Sequence, residues 1–267
     1  GWAPTGVTLT PYTGPTDITT AGTVIDGKDI PSVVTVSAPN VTIKRSRIRG
    51  DGDYGVRQDP GASGLLVEDV EITSANLNGS VDSNGSPVGM IDRAILLQDA
   101  STIRRVYIHG TWRGIQLRDR TGIKTIVDSF VGDNVNPSGN HTSALMTDGG
   151  TSHGVILHNT LRTAPNTNAS SAISLYPQTF AGGSNDDFVM DNNLLDTAGG
   201  YAVYLGGDST SPKNTNFRFT NNHFGTLYFP TCGIYGPVDS WDTPGNTWTG
   251  NSWYSPGNAM NGSAVTP

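Results

Sequence analysis

A six-residue pattern recurs along this chain: a large apolar residue, two variable residues, usually a small polar one, a variable one, then an apolar one. It reads IDGKDI from Ile25, IKRSRI from Ile43, VEDVEI from Val67, IRRVYI from Ile103 and IVDSFV from Ile126. Further copies are ILHNTL from Ile156, VMDNNL from Val189, FTNNHF from Phe219 and WTGNSW from Trp248. The steps range from 18 residues (Ile25 to Ile43) to 36 (Val67 to Ile103). That is too uneven for a leucine-rich or ankyrin array. It suits a solenoid in which each coil rests on its neighbours and the loops vary freely in length.

The central position of the later copies is Asn159, Asn192, Asn222 and Asn251, whereas earlier copies carry Lys28, Ser46, Val70, Val106 and Ser129. Asn tolerates the left-handed backbone of a sharp corner, and stacked amides can bond the coils above and below. An internal asparagine ladder is therefore expected through the second half. A second repeat, a small residue followed by an aliphatic one, lies between the corner motifs: AILLQD from Ala94, GIQLRD from Gly114, AISLYP from Ala172 and AVYLGG from Ala202. Period-2 alternation turns Ile115, Leu117, Ile173, Leu175, Val203 and Leu205 inward. The expected fold is all-β, a right-handed parallel β-helix (solenoid) of about nine coils with three short strands per coil. It forms one domain over residues 1–267, with 1–22 as an N-terminal cap or lead-in, coils over 23–253 and a tail over 254–267.

Composition agrees and narrows the partners. The 34 glycines and a charged fraction of only 15 % fit short strands joined by many tight turns. A net charge of −7 without a Lys/Arg block makes nucleic acid a poor partner. No apolar run is long enough for a membrane span, and the opening GWAPTGVTLT reads like a mature or trimmed product. The single cysteine, Cys232, has no internal disulfide partner and offers no zinc cluster, so a buried thiol is expected. The oligomeric state is not specified by any of these features.

The second repeat would build a flat sheet with two outward ladders. One runs Arg57, Leu96, Gln116, Met146, Ser174, Tyr204 and Tyr235; the next runs Asp59, Gln98, Arg118, Asp148, Tyr176 and Gly206. Loops entering that sheet vary most in length, and long loops on a rigid scaffold carry function. They bring His109, Trp112, His141 and Arg162. Aromatic faces stack on sugar rings, while amides and arginines bond hydroxyls and carboxylates. The expected binding set for an extended polysaccharide is Arg57, Gln98, His109, Trp112, Gln116, Arg162, Tyr204 and Tyr235.

The coil pattern, the Asn corners and the opening LTPYTGPTDITTAGTVIDGKDI resemble secreted bacterial right-handed β-helix proteins of the pectate-lyase-like superfamily, over residues 8–253. The resemblance implies an extracellular location and action on polysaccharide. That superfamily spans lyases, hydrolases, epimerases and depolymerases, so the reaction must be argued from residues. Where such relatives often read His-Asn-Asp-Gly-Ile-Gln, this chain has His141-Thr142-Ser143-Ala144-Leu145-Met146; where they carry Lys, it has Tyr176.

A polysaccharide lyase abstracts the proton next to a uronate carboxyl and expels the C4 oxygen, which requires a cation, a base and an acid. Arg118 is expected to neutralise the carboxylate, with His141 or Tyr176 moving protons, and this ranks first among reactions. A glycoside hydrolase ordinarily uses two carboxyl groups, of which the ladders offer Asp148 in a good outward position. A non-catalytic carbohydrate-binding or surface-structural β-helix is the remaining alternative. No metal ligand set is assigned. Calcium is an open option, since GGSNDD over residues 182–187 supplies oxygens without EF-hand spacing.

Overall fold

Strands of two to seven residues succeed one another from Thr10–Pro11 to Ser252–Tyr254. The computed structural model describes residues 1–267 except 79, 84–87, 120, 136–140, 148, 166–167, 178–182, 207–213 and 242–244. Among the described residues every strand pairs in parallel with the strand one coil away, in three sheets. Sheet A has ten strands, from Thr10–Pro11 to Ser252–Tyr254. Sheet B has nine, from Asp17–Ile18 to Gly236–Asp239, and sheet C has nine, from Val24–Asp26 to Thr247–Thr249. The chain is a right-handed parallel β-helix. Its one described helical turn is the 3-10 segment Ala3–Thr5, and no described helix is long and apolar enough to cross a membrane.

The hexapeptide builds one corner of every coil. Its first apolar residue stacks in sheet C, as in Ile43↔Val67, Ile103↔Ile126 and Phe219↔Trp248. Its last stacks in sheet A, as in Ile48↔Ile72, Val131↔Leu161 and Phe224↔Trp253. Both rows face the core, which is Ile/Val-rich in early coils and gains Phe188, Phe217, Phe219 and Phe224 in late ones. One copy is a residue out of frame: Ile156 pairs with Met190, not Val189.

That slip corrects the ladder. The residue at the hydrogen-bonded position is Asn193, which is fully buried, and Asn192 is exposed. Asn193 Oδ1 accepts from the Asn159 backbone N–H at 2.9 Å and from Asn159 Nδ2 at 3.0 Å. Its own Nδ2 donates to Ile156 O (2.9 Å) and Asn222 Oδ1 (2.9 Å). The same bonds continue to Asn251 below, and Asn159 Oδ1 accepts from Ser129 N–H above. In every copy except the out-of-frame one, where Asn192 is the corner as read, the left-handed corner is one residue earlier than the sequence implied. It falls on Gly27, Arg45, Asp69, Arg105, Asp128, His158, Asn192, Asn221 and Gly250, with φ from 46° at Arg45 to 70° at Gly250. The corner residue makes the turn, and the residue after it turns its amide inward. A second amide column that the hexapeptide did not reveal joins sheets B and C. There Asn185 Oδ1 accepts from Thr151 N–H and Asn214 Oδ1 from Asn185 N–H.

The two ends are built into the stack. Segment 1–22 contributes the strands Thr10–Pro11 and Asp17–Ile18, so coiling begins before the first hexapeptide. The tail returns over the last coil: Val265 is buried, its N–H bonds Asn251 O, and Trp248 Nε1 donates to Val265 O at 2.7 Å. This covers edge groups that would otherwise invite strand addition. Cys232 is buried, as expected, with its thiol donating to Leu195 O.

Candidate functional site

On sheet B the register joins Thr35, Arg57, Leu96, Gln116, Met146, Ser174, Tyr204 and Asp239 into one outward ladder. The sequence order therefore holds through Tyr204, and Asp239 replaces Tyr235 in the last rung. Tyr235 precedes the strand Gly236–Asp239 and is 70 % exposed. The middle rungs are covered. Leu96 and Gln116 are 1 % and 0 % exposed and Trp112 is 6 % exposed, so Gln116 and Trp112 are buried supports, not surface contacts. The Arg113 guanidinium lies 4.7 Å over the Trp112 ring.

The lower rungs open into a cleft of about 540 Å³ whose lining includes His141, Ser143, Met146, Ser170, Ser174, Tyr176, Tyr204 and Tyr235. One wall is aromatic. Tyr176 stacks on Tyr204 with ring centroids 5.6 Å apart, Tyr201 meets Tyr204 edge-on at 5.1 Å, and Tyr201 lies 5.6 Å from Tyr235. The Tyr176 ring needs Gly206 beside it: a Cβ there would sit 2.2 Å from the ring, at a backbone φ of 53°. Burial pushes the Tyr176 phenol up to about 12, with Tyr204 and the Asp239 carboxylate adding to the effect. Burial raises Tyr204 as well, again with Asp239 nearby. Both phenols are thus proton donors at neutral pH. His141 enters the cleft exposed, its Nδ1 2.8 Å from Ser170 Oγ and its carbonyl accepting from Arg113 Nε at 3.1 Å.

Beside the cleft stands a charged group that the sequence reading missed. Tyr54, Arg93 and Arg113 occupy one register position on three coils. Asp92 Oδ2 accepts from Arg93 Nη1 at 2.6 Å, and Asp92 Oδ1 lies 3.5 Å from Arg113 Nε. Burial pushes the Asp92 carboxyl up against the pull of Arg113 and Arg93. Alternation hides this group: Arg93 and Arg113 stand two residues before the inward Ile95 and Ile115, a spacing that by period 2 shares the inward face.

The other expected site residues disperse. Arg57 pairs with Asp59 at 2.8 Å, and Gln98 Nε2 donates to Gln58 O, so both lie on the upper part of sheet B. Arg118 is half-buried, its backbone N–H bonded to Leu97 O, two coils and about 10 Å along the ladder from Tyr176. Asp148, the rung between them in the sequence reading, lies outside the described residues. His109 and Arg162 are corrected: both belong to sheet A. His109 Nε2 is 3.0 Å from Glu71 Oε1 and its ring stacks on Tyr107 at 4.3 Å. Arg162 bonds Asp133 at 2.6 Å and lies 5.0 Å over Phe130. The two described acids of the 182–187 stretch are engaged by side chains: Asp186 accepts from Thr215 and Asn216, and Asp187 pairs with His153 and Arg218. Among the described residues no group of three or more His, Cys, Asp or Glu side chains is placed to hold a metal.

No family model and no curated protein matches the chain. Among solved structures it is similar to the tailspike protein gp49 of Acinetobacter baumannii bacteriophage Fri1, a capsular polysaccharide depolymerase. The identity is 12 % and the TM-score 0.45, over 86 % of this chain and 52 % of the tailspike, so this chain spans about half that protein's length. It is also similar to a mannuronic acid specific polysaccharide family 6 lyase from human gut microbiota, at 10 % identity and a TM-score of 0.35, over 86 % of this chain and 74 % of that one.

Proposed function

We propose that the chain is an extracellular polysaccharide-active β-helix that cleaves a uronic-acid-containing polymer by β-elimination along sheet B. The observation that carries this reading is the sharing of one cleft by His141 and by Tyr176, whose phenol stays protonated up to about pH 12 against its stacked neighbour Tyr204. Tyr204 and Tyr235 present faces and edges on which sugar rings pack. His141 takes the proton from C5, the electron pair forms the C4–C5 double bond, and the C4–O4 bond breaks. Tyr176 gives its phenolic proton to the departing O4, so one proton leaves carbon and one arrives at oxygen. Arg118, on the same ladder, supplies positive charge to the uronate carboxylate as the enolate-like intermediate builds up.

Incubation with polyuronates, followed at the absorbance of unsaturated uronates, tests the reaction. His141→Ala and Tyr176→Phe are each expected to lower turnover by about 100-fold or more. Tyr204→Ala is expected to weaken polymer binding while the fold persists. Saturated products would replace elimination with hydrolysis and make Asp148 the residue to test. The binding-only reading is favoured by one observation: Ser143, where relatives carry an acid, is buried against Ser171 with Oγ atoms 2.9 Å apart. Polymer binding without any product would establish it.

A further inference from the structure

The pairing of Thr142–Thr147 with Ala169–Leu175 breaks step at one point. Thr142 pairs with Ala169 but Ser143 pairs with Ser171, which leaves Ser170 as an extra residue. Such a bulge bends its strand and re-aims a side chain. The re-aimed Ser170 Oγ is the atom that lies 2.8 Å from His141 Nδ1. The next coil is shaped to accept the displaced backbone: a Cβ on Gly199 would lie 2.3 Å from Ser170 O, and Gly200 N–H donates to that oxygen at 3.0 Å. Two coils are therefore committed to keeping Ser170 where it is.

His141 is also held through its main chain. Arg113 Nε donates to His141 O at 3.1 Å, its guanidinium rests on buried Trp112, and Asp92 lies 3.5 Å behind. Asp92 in turn is bonded by Arg93 at 2.6 Å. The hold runs from two coils into a third.

A neutral imidazole carries one donor and one acceptor nitrogen, and the partner of one nitrogen decides which is which. We propose that Ser170 is a positioning residue whose Oγ accepts from His141 Nδ1–H. This leaves Nε2 as the lone-pair nitrogen that takes the substrate proton, and Arg113 fixes the main chain that carries the ring. The inference rests on the reading of His141 as the base; neither Ser170 nor Arg113 touches reacting atoms.

The direct test is the imidazole tautomer of His141 in the intact protein, read from ring nitrogen and carbon NMR shifts at a pH where the ring is neutral. The wild type is expected to carry the proton on Nδ1, and Ser170→Ala to shift the population toward the Nε2–H form. On a cleavable polyuronate, Ser170→Ala should lower kcat by about 10- to 100-fold, the scale seen when outer partners of metal-bound imidazoles are removed. KM should change little, and Ser170→Thr should restore most of the rate. Arg113→Ala should lower kcat with the tautomer unchanged. A wild-type ring protonated on Nε2 overturns the proposal, and it does so even if Ser170→Ala fails to fold. An unchanged tautomer in a folded Ser170→Ala overturns it too. Covalent labelling of Ser170 by a fluorophosphonate would make it a nucleophile and equally sink the positioning role. If no polyuronate is cleaved the elimination reading fails, while the tautomer measurement still decides whether Ser170 sets the ring.

Discussion

Coils before and after Ser129 solve the same corner in different ways. In the early coils the corner is tied on the outside by ion pairs. Arg45 bonds both oxygens of Asp26, and Arg105 bonds both oxygens of Asp69 as well as Glu68. The inward residues there are Ser46, Val70 and Val106. In the late coils outside ties persist, as in His158 Nδ1 to Asp128 Oδ1 (2.7 Å) and Asn221 Nδ2 to Asp191 Oδ1 (2.8 Å), but the corner is tied from inside as well by buried amides, and the core beneath them is aromatic. Exposed ion pairs contribute up to about 1 kcal/mol and fade with salt, whereas each buried group orphaned costs about 1–3 kcal/mol. The late coils are thus the stricter scaffold. The face of sheet B divides similarly, with charge at Asp92, Arg93 and Arg113 above and the tyrosine-walled cleft below. A site that must hold an imidazole and a phenol in fixed relation gains from standing where coil register is most tightly specified.

The largest loss is expected for Asn193→Leu. It removes two donated bonds and the acceptor of the Asn159 N–H, and is expected to cost about 4 kcal/mol by urea denaturation. A loss below about 1 kcal/mol would mean that the amide column does not hold the late coils.

A second test lies at the boundary between the halves. Lys124 is fully buried, its Nζ donating to the carbonyls of Asp119 (3.1 Å) and Thr121 (2.8 Å), and burial pulls it down to about 8 from 10.5. Because the folded value lies below the unfolded one, folding disfavours the charged form. The penalty is fully present below about pH 8 and is relieved as pH rises toward 10.5. The wild type should therefore gain on Lys124→Met across that window, by at most about 3 kcal/mol. Parallel stability curves for the two proteins would show that the carbonyl cage, not burial, governs this lysine.

Asn192→Leu is expected to cost only about 1–2 kcal/mol, because its side chain is exposed and the change chiefly strains a left-handed backbone. Equal melting temperatures for Asn192→Leu and Asn193→Leu would reject the coil frame. Smallest of all, Arg105→Ala should cost less than about 1 kcal/mol and nothing measurable in 1 M salt. A larger, salt-insensitive loss would make the outer ties equal to the inner ones.

The misreadings of sequence have specific causes. VMDNNL offers two apolar residues and two asparagines in a row, so both frames satisfy the pattern, and only the pairing of Ile156 with Met190 chooses between them. Loop placement assigned His109 and Arg162 to the second-repeat sheet, but chain order is silent on which of three sheets a residue leaves; Arg162 lies in a sheet A strand and His109 directly follows one. Gln116 and Trp112 were likewise read as surface groups, yet both are buried in the folded stack.

The solenoid, the inward rows apart from the Val189 copy, and the outward order from Arg57 to Tyr204 are legible in the residue pattern alone. Those follow from alternation and turn chemistry, which act within one coil and repeat in the next. Tertiary structure alone decided that Asp239 ends the ladder, that Asp92 and Arg113 stand beside the cleft, and that a bulge brings Ser170 to His141. Each of these depends on how loops of unequal length set one coil against the next, and that offset is written in contacts about 30 residues apart, which no local pattern contains.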